Sequence, residues 1–126
     1  MEQVLGIGGV FFKARDPKAL AAWYREHLGL PIEPEQTYGT LTSPAAGEQA
    51  VWSAFAADTA YFGSGSAPFM FNYRVRNLDA MLAQLRVAGA QVDDRVDDYD
   101  YGRFGWATDP EGNRFELWEP RSPGHG

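Results

Sequence analysis

The chain has 126 residues, of which 44% are hydrophobic and 14% aromatic, so it is long enough for one domain with a real core. Its net charge of −6, without a cluster of Lys or Arg to neutralise phosphates, excludes nucleic acid as an expected partner. The absence of Cys excludes a disulfide framework, a thiolate nucleophile and a cysteine zinc site.

Targeting signals are not evident in the sequence. The first residues, Met1–Gly6, lack the basic region and the apolar stretch of a signal peptide. No apolar run approaches the roughly 20 residues that a membrane-spanning helix needs. We therefore expect a cytoplasmic protein with no membrane partner.

The first residues of the chain predict a strand that leads directly into a helix. Val10–Ala14 is apolar and aromatic enough for a strand, and Asp16 is a candidate N-cap before Pro17 at the first helical position. Gly29 is placed to end this helix. The short segment Leu30–Glu33 is expected to be extended.

Three further strands are predicted in the first half. Tyr38–Thr42 and Ala50–Ala56 have strand composition, and Asp58–Phe62 is expected to be a short last strand. Pro44–Gly47 is expected to turn between the first two strands. The residues of about 63–68, rich in Gly, Ser and Ala, are the predicted linker.

The second half repeats the opening pattern. Phe69–Val75 is again an aromatic strand, followed by the capping residue Asn77 and by a helix that ends near Gly89. Gln91–Asp94 is the extended piece after this helix, and an acidic connection, Asp97–Gly102, leads to a terminal hairpin. The unit recurs at an offset of about 60 residues.

This repeat predicts the organisation of the chain. We expect a single domain, residues 1–126, of α+β class with two βαβββ modules at about 4–62 and 69–120. The tail, residues 121–126, is expected to be frayed.

The terminal hairpin is the most informative segment. Pro110 and Gly112 favour a tight reversal, so Gly105–Thr108 should pair with Arg114–Glu119. Side chains alternate along a strand, so the apolar Phe115 and Leu117 face the core while Glu116 lies on the other face.

The expected register surrounds this carboxylate with aromatic rings. It sets Trp106 opposite Glu116 and Phe104 opposite Trp118. Glu116 is then either a ligand-binding or catalytic carboxylate, with a pKa raised by burial, or a structural group that is solvated or paired with Arg114, which shares its strand face, or with an Arg of the other module.

The strand at Phe69–Val75 has two different faces. Met70, Asn72 and Arg74 alternate onto one face, where Asn72 is either a satisfied structural amide or a group that reads a ligand. The other face carries three aromatic residues that we expect beneath the second helix: Phe69, Phe71 and Tyr73.

Two motifs carry a resemblance to a known family. The helix end Trp23–Leu30 and the closing motif Asp109–Pro120, DPEGNRFELWEP, resemble the vicinal oxygen chelate superfamily of glyoxalase I, extradiol dioxygenases and bleomycin-resistance proteins. The resemblance covers residues 4–120. It implies facing half-barrel sheets around a cavity and a homodimer.

Metal-dependent members of that superfamily hold a divalent ion through side chains of the barrel strands. Position by position, the resemblance matches Glu116 to one ligand, but Gly9 and Met70 stand at two other ligand positions. Asp58 is the candidate for the remaining position. Because a transition-metal site generally needs three or more donors, we expect no metal site and no cofactor.

The two histidines do not complete the ligand set. His27 lies near a helix end and His125 lies in the tail, so neither is expected to reach the cavity.

The sequence favours a metal-free protein that binds a small apolar or aromatic molecule, still unidentified, as bleomycin-resistance proteins do. The alternative is a lyase, isomerase or dioxygenase-like enzyme with Glu116 as general base or metal ligand, and a purely structural subunit is the third possibility. Glu116 is the candidate catalytic residue. The expected ligand-binding residues are Met70, Asn72, Phe104, Trp106, Glu116 and Trp118.

Overall fold

The fold is α+β, and the part of the chain that the structure describes contains two helices and eight strands. A computed structural model describes residues 1–42, 48–63 and 67–121. The expected turn at Pro44–Gly47, the middle of the predicted linker, His125 and nearly all of the tail lie outside the described residues. The elements, in chain order, are β1 (Val4–Ala14), α1 (Pro17–Leu28), β2 (Tyr38–Thr42), β3 (Gln49–Ala56), β4 (Phe69–Val75), α2 (Leu78–Val87), β5 (Gln91–Val92), β6 (Asp97–Tyr99), β7 (Gly102–Thr108) and β8 (Arg114–Pro120).

The chain divides into two compact units. One comprises Gly8–Met70, and the other combines Met1–Ile7 with Phe71–Gly126. The boundaries fall inside β1 and β4, so the first residues of β1 belong with the second half of the chain. Among the described residues, neither helix is long and apolar enough to cross a membrane.

Both helices begin where the sequence predicts. The Asp16 carboxylate accepts a hydrogen bond from the backbone N–H of Ala19 at 3.1 Å, and Gly29 ends α1 with φ +67°. Asn77 caps α2 in the same way, through the N–H of Ala80 at 3.0 Å. The caps satisfy N–H groups that a helix start leaves without an intrahelical partner.

The unit Gly8–Met70 packs α1 over one face of three strands. β1 pairs in parallel with β3, and β2 pairs antiparallel with β3. The buried residues between helix and strands are Ala14, Ala21, Ile32, Trp52 and Ala54.

Two predicted strands in this unit are absent. Asp58–Phe62 forms turns closed by local bonds, such as Thr59 N–H to Ala56 O at 3.0 Å, so its backbone needs no ladder partner. Leu30–Glu33 is not a strand either. It is a loop segment, and its Ile32 is buried in the core between α1 and the strands. The first module is therefore βαββ.

The unit of Met1–Ile7 and Phe71–Gly126 is built around the terminal hairpin. β8 pairs antiparallel with β7 and in parallel with β4. β5 and β6 both pair with β7. The helix α2 covers one face with a core of Val75, Leu78, Met81, Leu82 and Leu117.

The acidic connection contains a strand that the sequence did not predict. β6 pairs antiparallel with the start of β7, with Asp97 opposite Phe104. Ion pairs offset the repulsion of its carboxylates, because Arg95 contacts Asp97 at 2.7 Å and Arg121 contacts Asp98 at 2.6 Å. The second module is therefore βαββββ.

The prediction for the aromatic face of β4 is correct only for Tyr73. Tyr73 packs against the α2 core and meets Phe115 edge-on at 5.7 Å. Phe69 and Phe71 are 50% and 47% exposed instead of lying beneath the helix. The core under α2 reaches Tyr73 and Val75 but not the first residues of the strand.

Gly102 provides a test of the packing of β7 on β8. Its φ is +152°, and a Cβ there would lie 2.7 Å from the Glu119 carbonyl oxygen and against the Trp118 indole. We expect Gly102→Ala to lower the free energy of unfolding by about 2–3 kcal/mol, measured by chemical denaturation.

Gly29→Ala is the matched control, because Gly29 also has positive φ but open space around it. We expect it to cost only about 1 kcal/mol. Equal costs for the two variants would contradict the close approach at Gly102.

Candidate functional site

The strand register brings three polar side chains together in the unit of Met1–Ile7 and Phe71–Gly126. Glu116 lies on β8, with Trp106 opposite on β7 and Asn72 opposite on β4. The predicted hairpin register is confirmed, including the pairing of Phe104 with Trp118. Alternation then places these side chains on the sheet face away from the α2 core.

The carboxylate of Glu116 is buried and accepts hydrogen bonds at both oxygens. The Asn72 side-chain amide donates to Oε1 at 2.5 Å, and the Trp106 indole N–H donates to Oε2 at 3.0 Å. Glu116, Asn72 and Trp106 are each no more than 2% exposed. A buried carboxylate is expensive unless donors replace its water, and these two donors do so.

Asn72 leaves one strong acceptor unused. Its Oδ1 is buried and accepts no hydrogen bond from any described residue. An ionised carboxylate only accepts, so Glu116 fixes the amide with its nitrogen inward and its oxygen directed elsewhere. A buried carbonyl oxygen without a partner costs about 1–3 kcal/mol, so this one needs an explanation.

The guanidinium groups of Arg95 and Arg114 lie over the Trp106 ring, each 5.4 Å from the ring centroid. Arg114 is held by Asp93 at 2.8 Å. Cations over the ring attract its electron-rich face.

The strand β6 holds Arg95, which lies in the loop between β5 and β6, in this position. Asp97 accepts two hydrogen bonds from the Arg95 guanidinium, both at 2.7 Å, and a third from the Tyr99 hydroxyl at 3.1 Å. The hydrogen bonds from Arg95 are the main reason that the pKa of Asp97 lies below its usual value. The same bond from Tyr99 to Asp97 raises the pKa of the Tyr99 hydroxyl.

The remaining predicted residues extend the aromatic side of the site. Phe104 and Trp118 stack with their ring centroids 5.9 Å apart and nearly parallel. Trp118 is buried and Phe104 is partly buried. Met70 is buried two residues before Asn72 on β4. Whether any of them contacts a ligand stays a prediction.

The sequence predicts that Arg114 shares the strand face of Glu116, since it precedes Glu116 by two positions. It does not predict that Arg95 lies over Trp106, because Arg95 is on a loop whose path cannot be read from periodicity.

The family follows from a sequence profile. The Glyoxalase-like domain profile matches residues 9–118. The chain belongs to this glyoxalase-like family. No curated protein matches the chain by sequence.

Solved structures support the fold of this glyoxalase-like chain. Methylmalonyl-CoA epimerase from Mycobacterium tuberculosis is 22% identical with a TM-score of 0.68, covering 94% of this chain and 90% of that one. A Streptomyces coelicolor methylmalonyl-CoA epimerase variant in complex with 2-nitronate-propionyl-CoA is 16% identical with a TM-score of 0.74, covering 95% and 100%. A glyoxalase/bleomycin resistance protein/dioxygenase superfamily member from Vibrio splendidus 12B01 is 12% identical with a TM-score of 0.58, covering 94% and 99%.

The residues of this glyoxalase-like chain do not fit the divalent ion that metal-dependent relatives hold. Both oxygens of Glu116 already accept hydrogen bonds. At Gly9 a Cβ would lie 2.7 Å from the Val51 carbonyl oxygen, so no ligand side chain fits without a backbone shift. Met70 supplies a soft thioether. The described residues contain no group of three or more His, Asp or Glu that could hold a metal.

The alternative metal candidates are exposed. Asp58 lies in a turn after β3 and not on a strand. His27 lies on the surface of α1 with its ring 5.0 Å from that of Trp23.

The hydrogen bond between Asn72 and Glu116 can be measured by a double-mutant cycle with Asn72→Leu and Glu116→Leu. Each single change leaves a buried polar group without its partner, so we expect the two costs in unfolding free energy to be coupled by about 1–3 kcal/mol. Chemical denaturation of the four proteins gives the coupling.

The control cycle uses Asp79→Ala and Arg103→Ala, an ion pair at 3.0 Å in which the Asp79 side chain is 72% exposed. We expect this coupling to stay below about 1 kcal/mol. A coupling for Asn72 and Glu116 no larger than the control would contradict a buried hydrogen bond.

Asp97→Asn tests the anchor of the Arg95 loop through its pH dependence. The folded pKa of Asp97 is lowered, so its carboxylate stabilises the fold above the unfolded pKa and loses this contribution as pH falls through the folded pKa. We expect Asp97→Asn to be less stable than wild type near pH 7 by up to about 1 kcal/mol, and equal to it near pH 2.

Thermal or chemical unfolding at several pH values measures this difference. Asp58→Asn is the control, because Asp58 is exposed and forms no ion pair with another described residue. A difference for Asp97→Asn that is independent of pH would contradict the role assigned to its charge.

Proposed function

We propose that this glyoxalase-like protein binds a small apolar or aromatic molecule, without a metal, and that the ligand donates a hydrogen bond to Asn72 Oδ1. The observation that carries the proposal is the buried, unpartnered oxygen of Asn72. A donor on a ligand would remove the cost of that unpaired acceptor, so the site would favour molecules that carry one.

Glu116 has a positioning role in this proposal. It holds the Asn72 amide in one orientation, and Trp106 holds Glu116 from the other side. Phe104 and Trp118 supply the aromatic surface that an aromatic ligand needs. Selectivity would come from the hydrogen bond between the ligand and Asn72 Oδ1 beside this aromatic surface.

The phenol and anisole pair tests this proposal, because the two molecules are similar in size and only phenol has an O–H donor. We expect phenol to bind wild type about tenfold more tightly than anisole, by ligand-observed NMR titration. Asn72→Leu should remove that preference because it deletes the acceptor while keeping the volume.

Gln91→Leu is the matched control, since Gln91 is an exposed amide on β5 of the same unit. It should leave the preference for phenol intact. Equal binding of phenol and anisole to wild type, or a preference that survives Asn72→Leu, would refute the role of Asn72.

An isomerase in which Glu116 transfers a proton is the second candidate. It is favoured by the similarity in fold to methylmalonyl-CoA epimerases, one of them in complex with methylmalonyl-CoA. A buried carboxylate is a plausible base. Its two hydrogen bonds argue against this role, because both carboxylate oxygens already accept from protein donors and neither is left to take a substrate proton without breaking one of these bonds.

Proton exchange separates the two functions. The protein is incubated with methylmalonyl-CoA in D₂O, and mass spectrometry follows deuterium at the carbon between the carbonyls. Binding without chemistry predicts the background rate. Exchange above background that Glu116→Gln abolishes would establish the isomerase and overturn the binding-only function.

A further inference from the structure

A second buried polar atom, on Arg114, also has no hydrogen-bond partner among the described residues. Arg114 precedes Glu116 by two positions on β8, so the two side chains lie on one sheet face. The Arg114 side chain is 19% exposed, and its Nε is buried and donates to no described residue. A charged N–H group that is shut away from water without an acceptor is costly, so this donor needs an explanation as much as Asn72 Oδ1 does.

Two contacts fix the Arg114 guanidinium. Its Nη2 donates to the Asp93 carboxylate at 2.8 Å, and its central carbon lies 5.4 Å from the Trp106 ring centroid. The guanidinium is a rigid planar fork, in which Nε cannot turn independently of the terminal nitrogens. Asp93 therefore also holds the direction of the Nε–H group.

The charges beside this donor are already paired. Arg114 forms an ion pair with Asp93 at 2.8 Å, and Arg95, over the same Trp106 ring, forms one with Asp97 at 2.7 Å. A further anion would be repelled by both carboxylates. A neutral carbonyl oxygen accepts a hydrogen bond from a guanidinium N–H without adding charge. The acceptor that suits Arg114 Nε is therefore neutral.

We propose that the ligand of the Asn72 site carries a neutral carbonyl group, whose oxygen accepts a hydrogen bond from Arg114 Nε. This inference rests on the proposed function, because it concerns a second contact of the same ligand. It narrows the ligand to a neutral aromatic carbonyl compound that also has a donor for Asn72 Oδ1. The two contacts have opposite polarity, so they favour one orientation of the ligand.

The spacing of the two contacts suits a single aromatic ring. Asn72 lies opposite Glu116 on the neighbouring strand, and Arg114 lies two residues along β8 from Glu116. Strand spacing and rise then put the Cα atoms of Asn72 and Arg114 about 8 Å apart. A benzene ring that carries its polar groups at opposite ends has a comparable length.

The carbonyl contact is tested with probes that have no donor: 4-methoxyacetophenone, 4-isopropylanisole and 4-methoxybenzoate. The ketone and the hydrocarbon have acetyl and isopropyl groups of the same heavy-atom count, and the acid adds a negative charge. We expect wild type to bind the ketone about tenfold more tightly than either of the other two, by ligand-observed NMR titration.

Arg114→Lys keeps the positive charge beside Asp93 but has no N–H at the Nε position. It should abolish the preference for the ketone over the hydrocarbon and leave binding of the hydrocarbon unchanged. Arg103→Lys is the matched control, since Arg103 lies on β7 of the same unit and pairs with Asp79 at 3.0 Å. It should retain the preference.

The carbonyl contact and the Asn72 contact can fail separately. Wild type that binds the hydrocarbon or the acid as tightly as the ketone, or a preference that survives Arg114→Lys, would overturn the carbonyl contact. These probes cannot donate to Asn72, so the comparison of phenol with anisole remains the independent test of the proposed function.

Discussion

The site depends on a single constraint, a buried carboxylate that must be hydrogen-bonded. Glu116 lies in the middle of β8, where it has lost its water, and two neighbouring strands provide the donors. A shift of one residue in either register would turn Asn72 or Trp106 to the other sheet face and leave the charge unpaired. The hydrogen bonds of Glu116 therefore stabilise the same strand register that forms the site.

The same constraint explains how the side chains of this chain hold Glu116. A carboxylate whose two oxygens accept from an amide and an indole is held in place by the protein itself. In this chain the donors are Asn72 and Trp106. The consequence is a fixed amide whose oxygen accepts no hydrogen bond from the described residues.

The sequence was sufficient to predict the structural features that depend on residues close together in the chain. The caps at Asp16 and Asn77 and the hairpin register were predicted because turn residues and strand alternation act over a few positions. It failed for β6, whose acidic residues are paired with Arg95, Arg103 and Arg121. The position of Arg95 over Trp106 was missed as well, since it depends on tertiary contacts.

The most direct test of the account is the indole proton of Trp106, observed by ¹H–¹⁵N NMR. A hydrogen bond to a buried carboxylate predicts a strong downfield shift and slow exchange with D₂O, both lost in Glu116→Leu, while the indole of Trp23, which is 52% exposed, exchanges fast. A Trp106 proton that exchanges as fast as that of Trp23, or is unaffected by Glu116→Leu, would contradict the central claim.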